Sequence, residues 1–520
     1  MTPNLKHVIM VASENDALVG GKVGGVGDVV RDLPRALVGL GWRVTVVTPS
    51  YGFLHQRNTS NLLTRVSFPF GGKRLEADVW EIGGREPSEG VQHYAIEHDL
   101  IRGDSIYFND PPETPFMRDA TKYAVFCSSV GQLLKSIDLP EVLHLHDWHA
   151  ATYFLLRELH PAFTHCKGIR TAFTIHNLAI QGTRPMRGHE SSVETWFPGI
   201  FRDRKESADW VDPRYATPCY TPMAAGIRYA DKVNTVSPTY AEEILEPSDH
   251  SRGFYGGEGL EKILRAAKRE NRLFGILNGC EYPNPRTPRR LSFAEICGLV
   301  QGEIVSVEKK RHDECNDELL RKLTSMQTLQ PALLLTAVAR IVDQKVKILF
   351  EPDGTGTPAI GQLMKIVSSY DGVSIVLGSG TPEYERLMLD ASRKHDRLLF
   401  VRGYFEAIAN ALYSSGTLFL MPSSFEPCGI SQMVAMREGQ PCLVHAVGGL
   451  RDTVRHGVDG FTFSGANPTA QVDGMLRTLE EAFHIFIQRP DEWRRISSAA
   501  QAARFTWEKS AKDYGELMYT

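Results

Sequence analysis

Glu426 lies in the stretch Phe425-Glu426-Pro427-Cys428-Gly429-Ile430-Ser431-Gln432, between an apolar run, Thr417-Leu418-Phe419-Leu420-Met421, and the helix-forming residues Met433 to Arg437. The run predicts a buried strand, the polar residues a loop, and Met433 to Arg437 a helix. Glu426 then stands at the carboxyl edge of a sheet. The amides of Gly429 and its neighbours open outward from a helix N-terminus, where an anion gains about 0.3–1 kcal/mol at an exposed site. A carboxylate that accepts hydroxyl hydrogens, beside amides that hold phosphate, suits a sugar joined to a phosphate. From this loop alone, a capped helix with an exposed glutamate is the competing reading.

Two basic clusters suit the same ligand. Arg340 directly follows a buried apolar run, and Lys345 comes five positions later on an expected turn. Two converging cations match a departing diphosphate, because hydrogen bonds to charged groups contribute about 1.5–3 kcal/mol each. Solvated surface residues are the alternative. Lys22 stands in Gly20-Gly21-Lys22-Val23-Gly24-Gly25-Val26-Gly27-Asp28, between a strand at His7 to Ala12 and a helix from about Val29. Glycines at a strand-to-helix turn let backbone come close to a ligand. The spacing is not a dinucleotide fingerprint, whose third glycine would fall at Val30, nor is it a P-loop.

Histidines gather at two strand ends. Val142 to His149 reads VLHLHDWH and places His144 and His146 on one face of a strand, with Asp147 and His149 close behind. Such a set could hold a metal, but a strand tip that delivers Asp147 to a cleft mouth fits better. His176 and Asn177 come directly after the strand Arg170 to Ile175, at the edge where doubly wound sheets gather their ligands.

Phe425 to Gly429, with Gln432 and the later Gly448-Gly449-Leu450-Arg451-Asp452-Thr453-Val454, resembles the donor-sugar loop of the bacterial glycogen synthases and plant starch synthases. Lys22 to Val29 is similar to the Lys-x-Gly-Gly signature near that family's N-terminus. The His-Asp-Trp-His segment, Thr174 to Leu178, Gly275 to Gly279, and Arg340 with Lys345 resemble four further family segments, in family order. The resemblance implies two Rossmann-like doubly wound α/β domains facing a central cleft, an arrangement called GT-B. It implies a retaining glucosyltransferase that moves glucose from ADP-glucose to the end of an α-1,4-glucan, in the cytoplasm and with neither metal nor cofactor.

Site roles come from the same resemblance. Glu426, Lys345, Arg340, His176 and Asp147 would act in catalysis. Lys22, Gly24, Gly25, Asp28, Asn177, Asn278, Cys428, Gly429, Ser431, Gly448 and Gly449 would bind substrate. Cations from both lobes are expected to converge on one pyrophosphate. Some positions depart from the pattern: Ser424 stands in place of an arginine, Asn410-Ala411 in place of His-Arg, Ser414 to Thr417 in place of another turn, and Val346 in place of a glycine. These departures motivate a second reading, a degenerate binder of glucan or nucleotide. UDP-glucose or a small acceptor is a third, and a pyridoxal phosphorylase has no motif to support it.

The elements that must position these residues alternate strand and helix through both halves. At 520 residues the chain exceeds one ordinary core. Expected are a first domain over 1–280, a linker and helical connector over 281–330 whose charged residues are solvated, and a second domain over 331–499. A terminal helix over 500–520 is expected to cross back onto the first. Residues 64–98 alternate like an antiparallel excursion, and Tyr282 to Arg290 is a proline-rich break. Hydrophobic residues make up 42% and charged residues 23%, with a net charge of −4, which gives no reason to expect nucleic acid or an anionic membrane. Eight scattered cysteines without a Cys-x-x-Cys pair suggest reduced thiols. Neither a signal peptide nor a membrane-spanning run is expected, since Val8 to Ala12 runs straight into Glu14, Asn15 and Asp16.

Overall fold

The computed structural model describes residues 6–520 apart from 109, 112, 115, 202–208, 283–289 and 309–313, with all side chains but those of 307, 308 and 314. The proline-rich break falls, from 283 to 289, outside the described residues. The chain forms two compact units: Met1–Pro247 with Gly257–Gly279 and Trp507–Thr520, and Ser248–Gly256 with Cys280–Thr506.

The first unit is built on β1 (Lys6–Val11), β2 (Trp42–Pro49), β3 (Ser60–Phe70), β4 (Lys73–Ile82), β5 (Val91–Glu97), β6 (Val142–His146), β7 (Arg170–Ile175), β10 (Lys232–Thr235) and β11 (Leu273–Gly275), in the order β11-β10-β7-β6-β1-β2-β5-β4-β3. β8 (Arg184–Pro185) and β9 (Cys219–Tyr220) form a separate two-stranded ribbon. The strands from β11 to β5 are parallel, whereas β4 runs antiparallel to β5 and β3 to β4, which is the excursion expected from the alternation at 64–98. Parallel strands are covered on both faces, so they read as near-continuous apolar runs. In β1, Ile9 and Val11 join one buried cluster while Val8 and Met10 join the other. The helix Gly25–Gly39 covers the second face together with the C-terminal helix Trp507–Asp513, whose Trp507 and Ala511, followed by Tyr514, Met518 and Tyr519, lie in the same cluster as Val29, Val30 and Leu33.

The second unit carries six parallel strands: β12 (Leu333–Val338), β13 (Gly372–Gly378), β14 (Leu398–Arg402), β15 (Leu418–Met421), β16 (Cys442–His445) and β17 (Gly460–Phe463). Their order is β14-β13-β12-β15-β16-β17. Again the strand residues alternate between two clusters, Leu333 and Leu335 on one side, Leu334 and Val338 on the other.

Two features differ from expectation. The charged segment 291–328 is helical as expected, over Phe293–Glu308 and Glu314–Met326, but it does more than connect: Ile296, Val300, Ile304, Leu319, Leu323 and Met326 are buried in the second unit's core. The C-terminal return begins at Trp507 rather than at 500, because Pro490–Ala502 is a helix of the second unit that buries Trp493 and Ile496.

Both sheets reverse strand order at one place. In the first, β1 leads to β2 on one side while β6 and β7 lie on the other; in the second, β12 leads to β13 while β15 and β16 lie opposite. At such a switch point the loops leaving neighbouring strands part in opposite directions and open a crevice at the carboxyl edge.

Candidate active site

At the second unit's switch point, the loop after β12 and the loop after β15 are fastened together. Lys345 lies on the first turn of the helix Asp343–Phe350, not on a free turn, and its ammonium bonds the Glu426 carboxylate. Ser423 Oγ donates to the same oxygen at 3.1 Å. Gln344 Nε2 donates to the Phe425 carbonyl at 3.0 Å, and Ser424 N donates to the Gln344 carbonyl at 2.8 Å. The pair is largely buried, with 15% of the Lys345 side chain and 6% of that of Glu426 exposed. Tyr255 stacks on Phe425 with ring centroids 4.6 Å apart. Arg340, by contrast, is exposed, and its guanidinium has no hydrogen-bond or ion-pair partner among the described residues.

The glycines behind this loop have a packing role, where the sequence suggested substrate contact. Gly448 has φ +43°, and a β-carbon there would collide with the Glu426 carbonyl; one at Gly449 would collide with that of Cys428. Gly449 N donates to the Glu426 carbonyl at 3.1 Å, so the glycine pair is the floor on which the Glu426 loop rests. Cys428 is buried, and Gly429 turns at φ +74° into the helix Ser431–Arg437, which no side chain caps. Ser431 Oγ accepts from Tyr413 Oη at 3.2 Å.

At the first unit's switch point, the glycine loop after β1 is held by a carboxylate from its own beginning. Glu14 Oε2 accepts from the amides of Val23 (2.8 Å) and Gly24 (2.5 Å), and Glu14 Oε1 accepts from Tyr107 Oη at 2.7 Å. The Gly24 amide expected to face a diphosphate is therefore already taken, which corrects that expectation. A β-carbon at Gly24 or Gly27 would press on Glu14 at 3.3 and 3.2 Å, whereas one at Gly25 would enter open space. Lys22 is exposed and bonds Asp28 Oδ1 at 2.5 Å, with Asp16 at 3.5 Å. Burial works against its ammonium, but the two carboxylates outweigh it and raise the pKa of Lys22 above the ordinary value. Asp16 is also clamped by Arg31 and Arg85.

Asp147 opens the helix Asp147–Leu159 at φ +56° and is only 5% exposed. Its Oδ1 accepts from the amides of His176 (2.7 Å) and Asn177 (3.4 Å), so it anchors the turn after β7. Burial pushes its carboxyl up to about 7, against the pull of those amides. Asn177 Oδ1 accepts from Ala179 N at 3.0 Å. Asn278 is 5% exposed and its Oδ1 has no hydrogen-bond partner among the described residues. Thr174 donates its hydroxyl hydrogen to Asn234 Oδ1 (2.6 Å), so it must accept from His144 Nε2 (2.6 Å), whose Nδ1 then accepts from Tyr519 Oη at 2.8 Å. Both His144 nitrogens are thus committed to the fold. Among the described residues no group of three or more His, Cys, Asp or Glu is arranged to hold a metal.

The structure therefore joins Lys345 with Glu426, Lys22 with Asp28, and Asp147 with His176 and Asn177, and leaves Arg340 alone. Sequence reasoning missed Glu14, Asp16, Tyr107 and Ser423. The signal for Glu14 was present: two carboxylates immediately after the first strand, at the edge where a ligand is expected.

A family model described as the starch synthase catalytic domain matches residues 7–266, and a model of glycosyl transferases group 1 matches 359–481. The chain is 34% identical to a glycogen synthase of Gloeobacter violaceus over 522 residues, covering 98% of each, and 32% identical to one of Desulforamulus reducens, again over 98% of each. The catalytic domain of starch synthase IV from Arabidopsis thaliana, solved with ADP and acarbose, has the same fold, with a TM-score of 0.74 at 24% identity over 99% of this chain and 98% of that one.

Proposed function

This chain belongs to the family of glycogen and starch synthases, glucosyltransferases of GT-B architecture, and we propose from that premise that it lengthens an α-1,4-glucan with glucose from ADP-glucose. The observation that carries the reading is the bond between Lys345 and Glu426 at a topological switch point, with the exposed cation of Arg340, unpaired among the described residues, on the same loop. Arg340 and Lys345 take up the negative charge that grows as the diphosphate leaves, a preorganised electrostatic role that needs neither metal nor cofactor. Glu426 accepts from donor-sugar hydroxyls, and the Gly448-Gly449 floor fixes its height. Cys428, Gly429 and Ser431 line the same loop toward the donor.

In the first unit, Lys22 and the open backbone at Gly25 present a cation and amides to an anionic group, with Asp28 orienting the lysine. His176, Asn177 and Asn278 contact sugar, and Asp147 acts through the backbone of the first two. The buried free oxygen of Asn278 supports its part, since an unpaired buried acceptor costs about 1–3 kcal/mol unless a ligand satisfies it. Eight free cysteines support a reducing compartment, the cytoplasm; among the described residues no helix is long and apolar enough to cross a membrane. A panel of ADP-glucose and UDP-glucose against glycogen, maltooligosaccharide and sugar phosphates tests the donor and acceptor. The highest turnover is expected for ADP-glucose with glucan, and a preference for UDP-glucose or a small acceptor would overturn that assignment.

A further inference from the structure

His146 ends β6 wholly buried, its ring 4.1 Å centroid to centroid from that of His144. Its Nδ1 lies 2.9 Å from Nε2 of His176, and its own Nε2 is buried with no hydrogen-bond partner among the described residues. Burial lowers the pKa of both rings, that of His176 to about 3, so both are neutral near pH 7. The contact between them is then an N–H···N bond carrying one proton, and the two tautomers are linked.

If His176 donated, His146 would keep its proton on Nε2 and bury an N–H without an acceptor. If His146 Nδ1 donates, the unpaired atom is a bare nitrogen. Buried N–H groups without acceptors are the rarer defect. We propose that His146 is a positioning residue whose Nδ1–H holds His176 in the Nδ1–H tautomer, so that the His176 ring offers a donor to a hydroxyl of the bound sugar. Asp147 fixes the backbone of His176 while His146 fixes its ring. The inference rests on the reading that His176 contacts sugar, and it adds a residue to which no role was assigned from the sequence.

Histidine-selective 15N labelling tests it directly, with the His176 signals identified by their loss in His176→Asn. The expected spectrum has a protonated Nδ1 and a bare Nε2 on His176; a protonated Nε2 overturns the proposal. Kinetics give a second arm. His146→Asn can place an amide N–H where Nδ1–H stood and should keep kcat within about threefold of wild type, whereas His146→Leu should lower kcat about tenfold or more at nearly constant donor KM. Equal losses in the two variants, or no loss in His146→Leu, contradict the role. Unchanged turnover in His176→Asn would instead remove the sugar contact of His176, while the 15N spectrum still decides the tautomer.

Discussion

Arg340 and Lys345 carry the same charge five positions apart, yet the fold treats them differently. Lys345 neutralises a buried carboxylate, and Arg340 neutralises nothing among the described residues. Arg340→Ala should therefore leave the melting temperature unchanged and lower kcat/KM about 10- to 100-fold, the equivalent of one charged hydrogen bond. Lys345→Ala leaves Glu426 buried with Ser423 as its remaining side-chain partner, so it should cost about 3–5 kcal/mol of stability besides turnover. From sequence alone Lys345→Ala is expected to lower turnover far more than folded yield; the buried ion pair adds a cost in stability. Paired melts and steady-state rates check both, and full turnover in Arg340→Ala would deny the arginine its role. Asp147 allows a pH test. Its pKa is raised from 3.8 to about 7, so across that window the folded protein holds a proton that the unfolded chain gives up, and stability falls as pH rises. Relative to Asp147→Asn, the wild type should lose about 1.4 kcal/mol per pH unit there. Urea unfolding of the two at about pH 4.5, 6 and 7.5, points chosen to span that window, measures it, and parallel curves would contradict the buried carboxyl.

At the scale of elements, the glycine loop separates packing from binding. Gly24 and Gly27 are small because Glu14 lies against them, whereas Gly25 faces open space at the start of a helix. Gly25→Ala should be neutral or stabilising by up to about 1 kcal/mol, as alanine is in helices, yet weaken the donor if the diphosphate rests on that backbone. Gly24→Ala should destabilise by displacing Glu14. Thermal melts with donor KM values read both, and an unchanged KM in Gly25→Ala would move the anion away from this loop. The strands and their order of use were legible because buried parallel strands write themselves as apolar runs. The capture of the Val23 and Gly24 amides by Glu14 was not, since only folding brings those groups together. The helices at 293–326 were legible, but their charge hid the buried face: Ile296, Val300 and Ile304 recur at helical spacing, as do Leu319, Leu323 and Met326, and that stripe marks a face that needs a partner. Likewise Val346, read as a departure that weakens the site, fills the second unit's core.

For the whole molecule, each unit repeats one device: a parallel sheet whose strand order turns back at its centre, with the chemistry-bearing residues on the loops beside that turn. The motifs were legible because function fixes their letters locally. The return of Trp507 to Tyr519 onto the first unit was legible only as a resemblance, because its physical cause is a buried aromatic face that completes a cluster begun at Val8. A scaffold of this kind supports transfer only if donor cleavage is tied to glucan growth. Purified protein incubated with ADP-glucose and glycogen, with ADP release and glucosyl incorporation measured together, reads that link. One ADP released per glucosyl unit added is expected, with both lost in parallel in Arg340→Ala; no ADP release, or release without growth of the glucan, would contradict glucosyl transfer by this chain.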